Sequence, residues 1–201
     1  MTTLPDLLAR ASLAFAAVVI VVAAADPLPV GAADSVPAMA GTCGACHGPA
    51  GRSSMTEVPS LAGQPTYYLT LQLTLFRDQQ RQSARMSPIA AALNDSEMRQ
   101  LSAYFAALPP AEAPGGQDKA RAGEGERLTQ VNHCASCHLA TFAGQNQMPR
   151  LAGQREDYLL KAMKDYRDGK RSGFDGTMTE VLHGLADRDL ATLAYYLSHL
   201  N

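Results

Sequence analysis

The chain has little net charge and lacks several patterns that would indicate other folds. Its 201 residues hold 17 Lys and Arg against 19 Asp and Glu, a formal net charge of −2. This balance argues against nucleic-acid binding, which needs an excess of positive charge. Alternating apolar and polar residues are absent, and beyond residue 25 no segment is long and apolar enough to span a membrane. Within each half, residues such as Tyr68, Leu71 and Leu75 recur at helical spacing instead, so we predict an all-α fold.

Cysteine is also scarce, and its four copies all lie in one repeated motif. Cys-x-x-Cys-His is typical of c-type haem attachment. Three residues make about one helical turn, so both sulfurs lie on one face of a helix and the histidine can reach the iron. The sequence predicts two covalently attached haem c groups, with the bonded sulfurs on Cys43, Cys46, Cys134 and Cys137 and the first iron ligands on His47 and His138.

Three other interpretations of the cysteines are weaker. A thioredoxin-like redox pair needs a βαβ context, which the sequence lacks. One zinc ion could take all four sulfurs, but the histidine after each pair would then have no role. Two disulfides in an exported protein remain the third alternative.

Two methionines are candidates for the sixth iron ligand. Met86 and Met178 follow the two haem histidines at nearly the same distance, and their Ser-Pro and Gly-Thr neighbours predict loops. A thioether is a soft ligand that raises the haem potential. His183 is the rival ligand in the second half, but the first half has Ala91 at that place. The remaining methionines considered are predicted to fill gaps in the core: Met39, Met55, Met98, Met148 and Met163.

The chain repeats itself beyond the cysteines. Residues 59–64, Pro-Ser-Leu-Ala-Gly-Gln, return at 149–154 as Pro-Arg-Leu-Ala-Gly-Gln, and Tyr-Leu pairs follow in both copies. A stretch rich in proline and glycine separates the copies. We predict a first haem domain at residues 34–110, a linker at 111–116 and a second haem domain at 117–201. The last helix of each domain is predicted to be capped by Asn94 or Asp95, and by Asp187.

The first 25 residues form a separate segment. Arg10 precedes an apolar run over residues 11–25, which ends in three alanines suited to cleavage. This pattern predicts a secretory signal peptide, with an uncleaved N-terminal anchor as the alternative.

Several other residues have open roles. Pro59 and Pro149 are expected either to present a carbonyl oxygen to the Nδ1 atom of each haem histidine or simply to form a turn before a helix. Four tyrosines are expected at haem edges or in the core: Tyr68, Tyr158, Tyr104 and Tyr196. Lys161, Lys164, Arg167, Lys170 and Arg171 form either a basic docking edge or a solvated face balanced by aspartates.

Taken together, these motifs make the chain resemble the dihaem class I cytochromes of the cytochrome c4 type over residues 35–201. The resemblance implies two tandem cytochrome c domains, each a small helical bundle around one haem with histidine and methionine ligands. It also implies a periplasmic protein, soluble or membrane-associated. The second half departs from the pattern, because Leu139 replaces the usual glycine after the haem histidine and Met178 lacks the Met-x-Pro setting.

The expected function is one-electron transfer in a respiratory or related chain, without a catalytic residue. The partners would be redox proteins such as an oxidase, a reductase or a dehydrogenase. One alternative is the electron-accepting subunit of a dehydrogenase complex, as in the flavocytochrome sulfide dehydrogenases, which the chain also resembles. The other is a dihaem enzyme, such as a thiosulfate dehydrogenase or a peroxidase, which needs an open or unusual ligand position at one iron.

Overall fold

Helices supply the regular secondary structure of the protein. The computed structural model describes residues 35–171 and 176–201. Within those ranges the only β-type pairing is an isolated antiparallel bridge between Gln145 and Met148, so the all-α prediction is confirmed. The predicted signal segment, residues 1–25, lies outside the described residues. Among the helices in the described ranges, none combines the length and apolar character needed to cross a membrane.

The described helices divide into two similar sets. In the first half they are α1 (Ser35–His47), α2 (Thr66–Arg77), α3 (Met86–Ala91) and α4 (Asp95–Ala107), with a 3-10 turn at Pro49–Gly51. In the second half they are α5 (Lys119–Val131), α6 (Ala135–His138), α7 (Glu156–Arg167), α8 (Thr177–Leu182) and α9 (Asp187–Ser198).

The same pairs of helices pack together in both halves. The contacts of α4 with α1 and α2, and of α2 with α3, have counterparts in those of α9 with α5 and α7, and of α7 with α8. In the first half, one apolar cluster includes Leu101 and Phe105, and another includes Phe76 and Met98. Among the described residues of the second half, one cluster contains fully buried side chains of α9 such as Leu190. The sequence repeat therefore corresponds to a structural repeat.

A glycine permits the close crossing of the first and last helices in the second half. A Cβ atom on Gly125 of α5 would lie 2.3 Å from the Cβ of Tyr196 on α9. Any side chain at residue 125 would push the two helices apart. The Tyr196 ring also meets Phe142 edge to face, at 6.3 Å between centroids, so this tyrosine is part of the second-half packing.

The predicted N-cap residue is confirmed for α4 in the first half and is wrong for α9 in the second. Asn94 caps α4 by accepting hydrogen bonds from the backbone of Ser96 and Glu97. The prediction of Asp187 as a cap is wrong, because Ala186 is the N-cap residue and Asp187 begins α9. An alanine side chain cannot accept a hydrogen bond, and Asp189 instead accepts from the Ala186 backbone N–H at 3.3 Å. The carboxylates in the first turn still favour this helix end.

Side-chain hydrogen bonds and close backbone packing join the two halves along a line that we call the seam. A Cβ atom on Gly63 would lie 2.9 Å from Pro110, and one on Gly153 would lie 2.6 Å from the carbonyl oxygen of Ala111. The start of the connecting segment is thus packed against both halves, while residues 114–118 are exposed. The side chains that hydrogen-bond across the seam are Gln64, Gln72, Arg81, Gln154, Arg155, Asp157, Tyr158 and Arg171, with Tyr68 as an acceptor.

Candidate haem sites

Both Cys-x-x-Cys-His motifs lie on helical backbone. Cys43, Cys46 and His47 occupy the last turns of α1. In the second half the helix is interrupted after α5. Cys134 has helical backbone angles and is the N-cap residue of the short helix α6, which ends at His138. The three-residue spacing therefore places each pair of sulfurs about one turn apart, as predicted.

Each motif histidine donates a hydrogen bond to a proline carbonyl. The Nδ1 atom of His47 lies 2.8 Å from the carbonyl oxygen of Pro59, and that of His138 lies 2.9 Å from Pro149. A carbonyl oxygen can only accept, so Nδ1 carries the proton and Nε2 is left with a free lone pair. The first of the two roles considered for these prolines is confirmed.

The surroundings keep both rings neutral. His47 and His138 are buried, with 7% and 4% of their surface exposed. Burial lowers the pKa of each imidazole, although the hydrogen bond to proline acts in the opposite direction. A neutral ring with Nε2 deprotonated is the form that binds a metal.

One histidine ring nitrogen has no hydrogen-bond partner among the described residues. The Nε2 atom of His138 is buried and makes no hydrogen bond within the part of the chain that the structure describes. A buried polar nitrogen without a partner is costly in free energy. A haem iron would use its lone pair, so this atom fits the predicted ligand.

The cysteine environment does not suit the alternative metal site. All four cysteines are free and half-buried, and burial raises the pKa of the Cys43 and Cys134 thiols. Across the described residues no three His, Cys, Asp or Glu side chains converge to hold a metal ion. A single zinc ion shared by the two motifs is therefore not supported.

Met86 begins a helix rather than lying in a loop. The predicted loop is wrong here because two serines form a helix start: Ser83 Oγ accepts from the Met86 N–H and Ser87 Oγ accepts from the Ser83 N–H, each at 3.1 Å. Met86 is half-buried and packs against the cluster that contains Phe76 and Met98. Its thioether is thus held inside the first half.

Met178 is similarly placed in the second half. It is the second residue of α8, whose N-cap is Gly176, so the loop prediction is wrong here too. The residues before it, 172–175, lie outside the described ranges. Met178 and Cys134 pack against the same core cluster. His183, the rival ligand, is exposed at the end of α8.

In the first half the candidate haem residues pack against two clusters and not one. Cys43 packs against the cluster of Leu101 and Phe105, whereas Met86 packs against that of Phe76 and Met98. Leu93 contacts both clusters and connects them. Among the other methionines, Met98 and Met163 are buried as predicted, but Met55 is 40% exposed, so the core role predicted for it is wrong.

Two of the four tyrosines lie at the seam. Arg171 of the second half donates to Tyr68 Oη at 3.3 Å and to Gln72 Oε1 at 3.2 Å, while Arg81 of the first half reaches Tyr158 Oη at 3.4 Å. Burial alone would raise the pKa of the Tyr158 phenol, but the Arg171 and Arg81 guanidiniums outweigh it and lower that pKa.

Arg171 is a buried cation without a carboxylate partner in residues 35–171 and 176–201. Its Nε atom also lacks a hydrogen bond within those ranges. A buried charge normally needs an opposite charge or several hydrogen bonds. Arg171 meets this need through hydrogen bonds to Tyr68, Gln72 and Tyr158, none of which carries a carboxylate. Sequence reasoning assigned Arg171 to a surface edge and missed this position.

The predicted basic docking edge is neutralised. Lys161 pairs with Asp165, Lys164 with Asp187 at 2.8 Å, and Arg167 with Asp187 at 2.7 Å. Arg167 and Lys170 also contact Asp168, and Arg171 is buried at the seam. The alternative, a solvated face balanced by aspartates, describes this surface.

Known proteins resemble the chain over most of its length. It is 37% identical over 172 residues to cytochrome c4 of Thiocapsa roseopersicina, a match that covers 80% of this chain and 88% of that protein. The chain belongs to the cytochrome c4 family. It carries two covalently bound haem c groups and transfers electrons between redox partner proteins.

Two further matches and a family model agree with the family assignment. The crystal structure of reduced recombinant cytochrome c4 from Pseudomonas stutzeri matches with a TM-score of 0.75 and 28% identity, covering 85% of this chain and all of that one. A protein of Thiomonas intermedia described as a thiosulfate dehydrogenase electron acceptor is 34% identical, covering 82% of this chain and 81% of that one. The cytochrome c family model matches residues 122–201.

Proposed function

We propose that this member of the cytochrome c4 family is an exported, periplasmic carrier with two six-coordinate haems. One haem would be attached through Cys43 and Cys46 in a domain at 34–110, with His47 and Met86 as ligands. The other would be attached through Cys134 and Cys137 in a domain at 117–201, with His138 and Met178 as ligands. A linker at 111–116 joins the domains.

The observation that carries this proposal is the state of the two imidazoles. Each ring is buried, is fixed by a hydrogen bond from Nδ1 to a proline carbonyl, and keeps Nε2 free. Haem c, when bound, supplies an iron that changes between ferric and ferrous states. The protein contributes ligands of fixed orientation and an apolar surrounding, so little has to move when one electron arrives.

The methionines support the same assignment. Met86 and Met178 lie in the first turn of equivalent short helices and are half-buried against the core of their own half. His183 is exposed, which makes it a poor candidate for an iron ligand in the interior. With both axial positions occupied at each iron, no position remains for a substrate. This agrees with an electron carrier.

Covalent haem content and export test the proposal together. Protein secreted with residues 1–25 should contain two haems that resist acid–acetone extraction and add two haem masses to the intact protein. The same chain expressed in the cytoplasm without residues 1–25 should gain little haem. A single haem per secreted chain, or full loading in the cytoplasm, would contradict the proposal.

A second candidate function is the acceptance of electrons from a dehydrogenase that oxidises a sulfur compound. It is favoured by the 34% identity to the electron acceptor of a thiosulfate dehydrogenase. Stopped-flow absorbance would measure haem reduction after mixing with a thiosulfate dehydrogenase and thiosulfate, with enzyme alone and thiosulfate alone as controls. Reduction that is no faster with enzyme present would exclude this partner and leave the general carrier role unaffected.

A further inference from the structure

Two glutamines at equivalent places in the repeat reach across the seam. Gln154 of the second half accepts from the Ser60 N–H at 2.8 Å and donates to the Ser60 carbonyl at 2.9 Å. Gln64 of the first half accepts from the Arg150 N–H at 3.0 Å and donates to the Arg150 carbonyl at 2.9 Å. Each side-chain amide thus makes a two-way bond with one backbone residue of the other half.

The residues held in this way adjoin the haem histidines. Ser60 follows Pro59, so the Pro59 carbonyl and the Ser60 N–H belong to one peptide group. That carbonyl accepts the hydrogen bond from His47, while the N–H donates to Gln154. The linkage therefore runs from His47 of the first half, through a single peptide, to Gln154 of the second half.

The second half has the same arrangement, with the roles of the two halves exchanged. The Pro149 carbonyl accepts from His138, and the N–H of the same peptide group, on Arg150, donates to Gln64 of the first half. Gln64 and Gln154 are only 4% and 5% exposed, so solvent competes little for these bonds. The two linkages cross each other at the seam.

We propose that Gln154 is a positioning residue for His47, and Gln64 for His138. Each half then influences how basic the histidine ligand of the other half is. The inference rests on the proposed ligation by the two histidines. Hydrogen bonds in a chain polarise one another, so donation by the peptide N–H strengthens its carbonyl as an acceptor. A stronger acceptor at Nδ1 makes the imidazole a more basic ligand, which favours ferric iron. Loss of either glutamine should therefore raise a potential in the opposite half.

The test is a pair of substitutions in the full two-haem protein. Gln154→Met and Gln64→Met keep the length of the side chain and remove both hydrogen bonds. The potential of each haem is followed separately, through assigned haem-methyl proton resonances during a redox titration. Gln154→Met should raise chiefly the potential of the haem attached at Cys43 and Cys46. Gln64→Met should raise chiefly that of the haem attached at Cys134 and Cys137.

Gln72→Met is the matched control. Gln72 is also buried at the seam and bonds to Arg171 of the other half, but it contacts neither proline peptide. General loosening of the seam would affect all three variants alike, whereas the crossed pattern should appear only with Gln64 and Gln154. Shifts confined to the variant's own half, or equal in both haems, would overturn the inference.

A second variant and a second measurement keep the inference testable if a methionine variant folds poorly. Gln154→Glu retains an acceptor for the Ser60 N–H. The Nδ1 proton resonance of His47 in the reduced protein should stay near its parent position in Gln154→Glu and move upfield in Gln154→Met. Equal resonances in all three proteins would contradict the inference. Failure of the proposed ligation is distinguishable, because the parent itself would then lack two low-spin haem spectra.

Discussion

His138 donates from Nδ1 to the carbonyl oxygen of Pro149 over 2.9 Å, which leaves its buried Nε2 without a partner in the described part of the chain. This hydrogen bond by itself fixes both the tautomer and the plane of the imidazole ring, without a contribution from iron. The same bond joins His47 to Pro59 in the first half. The two predicted haem sites therefore have the same ligand geometry on the histidine side, although the chain around them differs.

One such difference gives a stability prediction at Leu139. Gly48 and Leu139 follow the two haem histidines and share an unusual backbone conformation, at φ 79° and ψ 165° and at φ 69° and ψ 159°. This region is essentially restricted to glycine. We expect Leu139→Gly to be more stable than Leu139→Ala by about 1 kcal/mol, which reverses the usual order of the two residues. Urea unfolding of both variants checks this, and an alanine variant at least as stable as the glycine variant would refute it.

The counterpart in the first half should show the same preference for glycine, more strongly. A Cβ atom on Gly48 would lie 2.0 Å from the carbonyl oxygen of Arg52. Gly48→Ala should therefore destabilise the protein by about 2 kcal/mol or more, since it adds a backbone clash to the strain. Gly123→Ala, at a helical glycine with open space around it, is the control and should be neutral or stabilising. Equal stability of the two variants in urea would contradict the structure at Gly48.

The sequence predicted the haem motifs and the repeat well because both depend on local spacing. Cys-x-x-Cys-His needs only one helical turn, and the helix pairs follow from similar apolar positions in each half. The loops predicted at Met86 and Met178 were wrong. At Met86, α3 starts through Ser83 and Ser87 contacts only three and four residues apart, a local signal that sequence reasoning overlooked. The role of Arg171 could not be predicted, because its partners Tyr68 and Gln72 come from the other half of the chain.

Arg171 provides a prediction about the haem potentials. Removing a buried positive charge should favour the ferric state, and a low-dielectric surrounding makes the effect larger than in water. Arg171→Met should therefore lower the mean potential of the protein. Lys170→Met removes the same charge from an adjacent side chain that is 70% exposed, where solvent and salt screen it. If a redox titration finds the same change in mean potential for both variants, burial of the Arg171 charge does not influence the haems.

Asp157 should make the seam sensitive to acid. Burial raises the pKa of this carboxyl, but hydrogen bonds from Arg155 and from the Glu57 N–H outweigh it, so the pKa is lowered. The stability it contributes is complete above the ordinary pKa of about 3.9 and is lost as the pH falls through the lowered value. Asp157→Asn should thus be less stable than the parent by about 1 kcal/mol at neutral pH. Thermal unfolding should show this gap closing below about pH 4, and a gap independent of pH would count against the assignment.

The ligand of the second haem can be decided by comparing Met178 with His183. Met178→Ala should open one iron, lower its potential and let the reduced protein bind carbon monoxide at one haem. His183→Ala should leave the potential and the carbon monoxide binding unchanged, because His183 is exposed at the end of α8. The reverse outcome would assign two histidines to this iron and a low potential to the second haem.

The most direct test of the account is the methionine-to-iron charge-transfer band in the near-infrared spectrum of the oxidised protein, measured per haem. We predict that the parent shows the full intensity for two haems. Met86→Ala and Met178→Ala should each retain half of it, and the double variant none. A parent with the intensity of a single haem, or a Met178→Ala variant with an unchanged band, would contradict the proposal that both irons have histidine and methionine ligands.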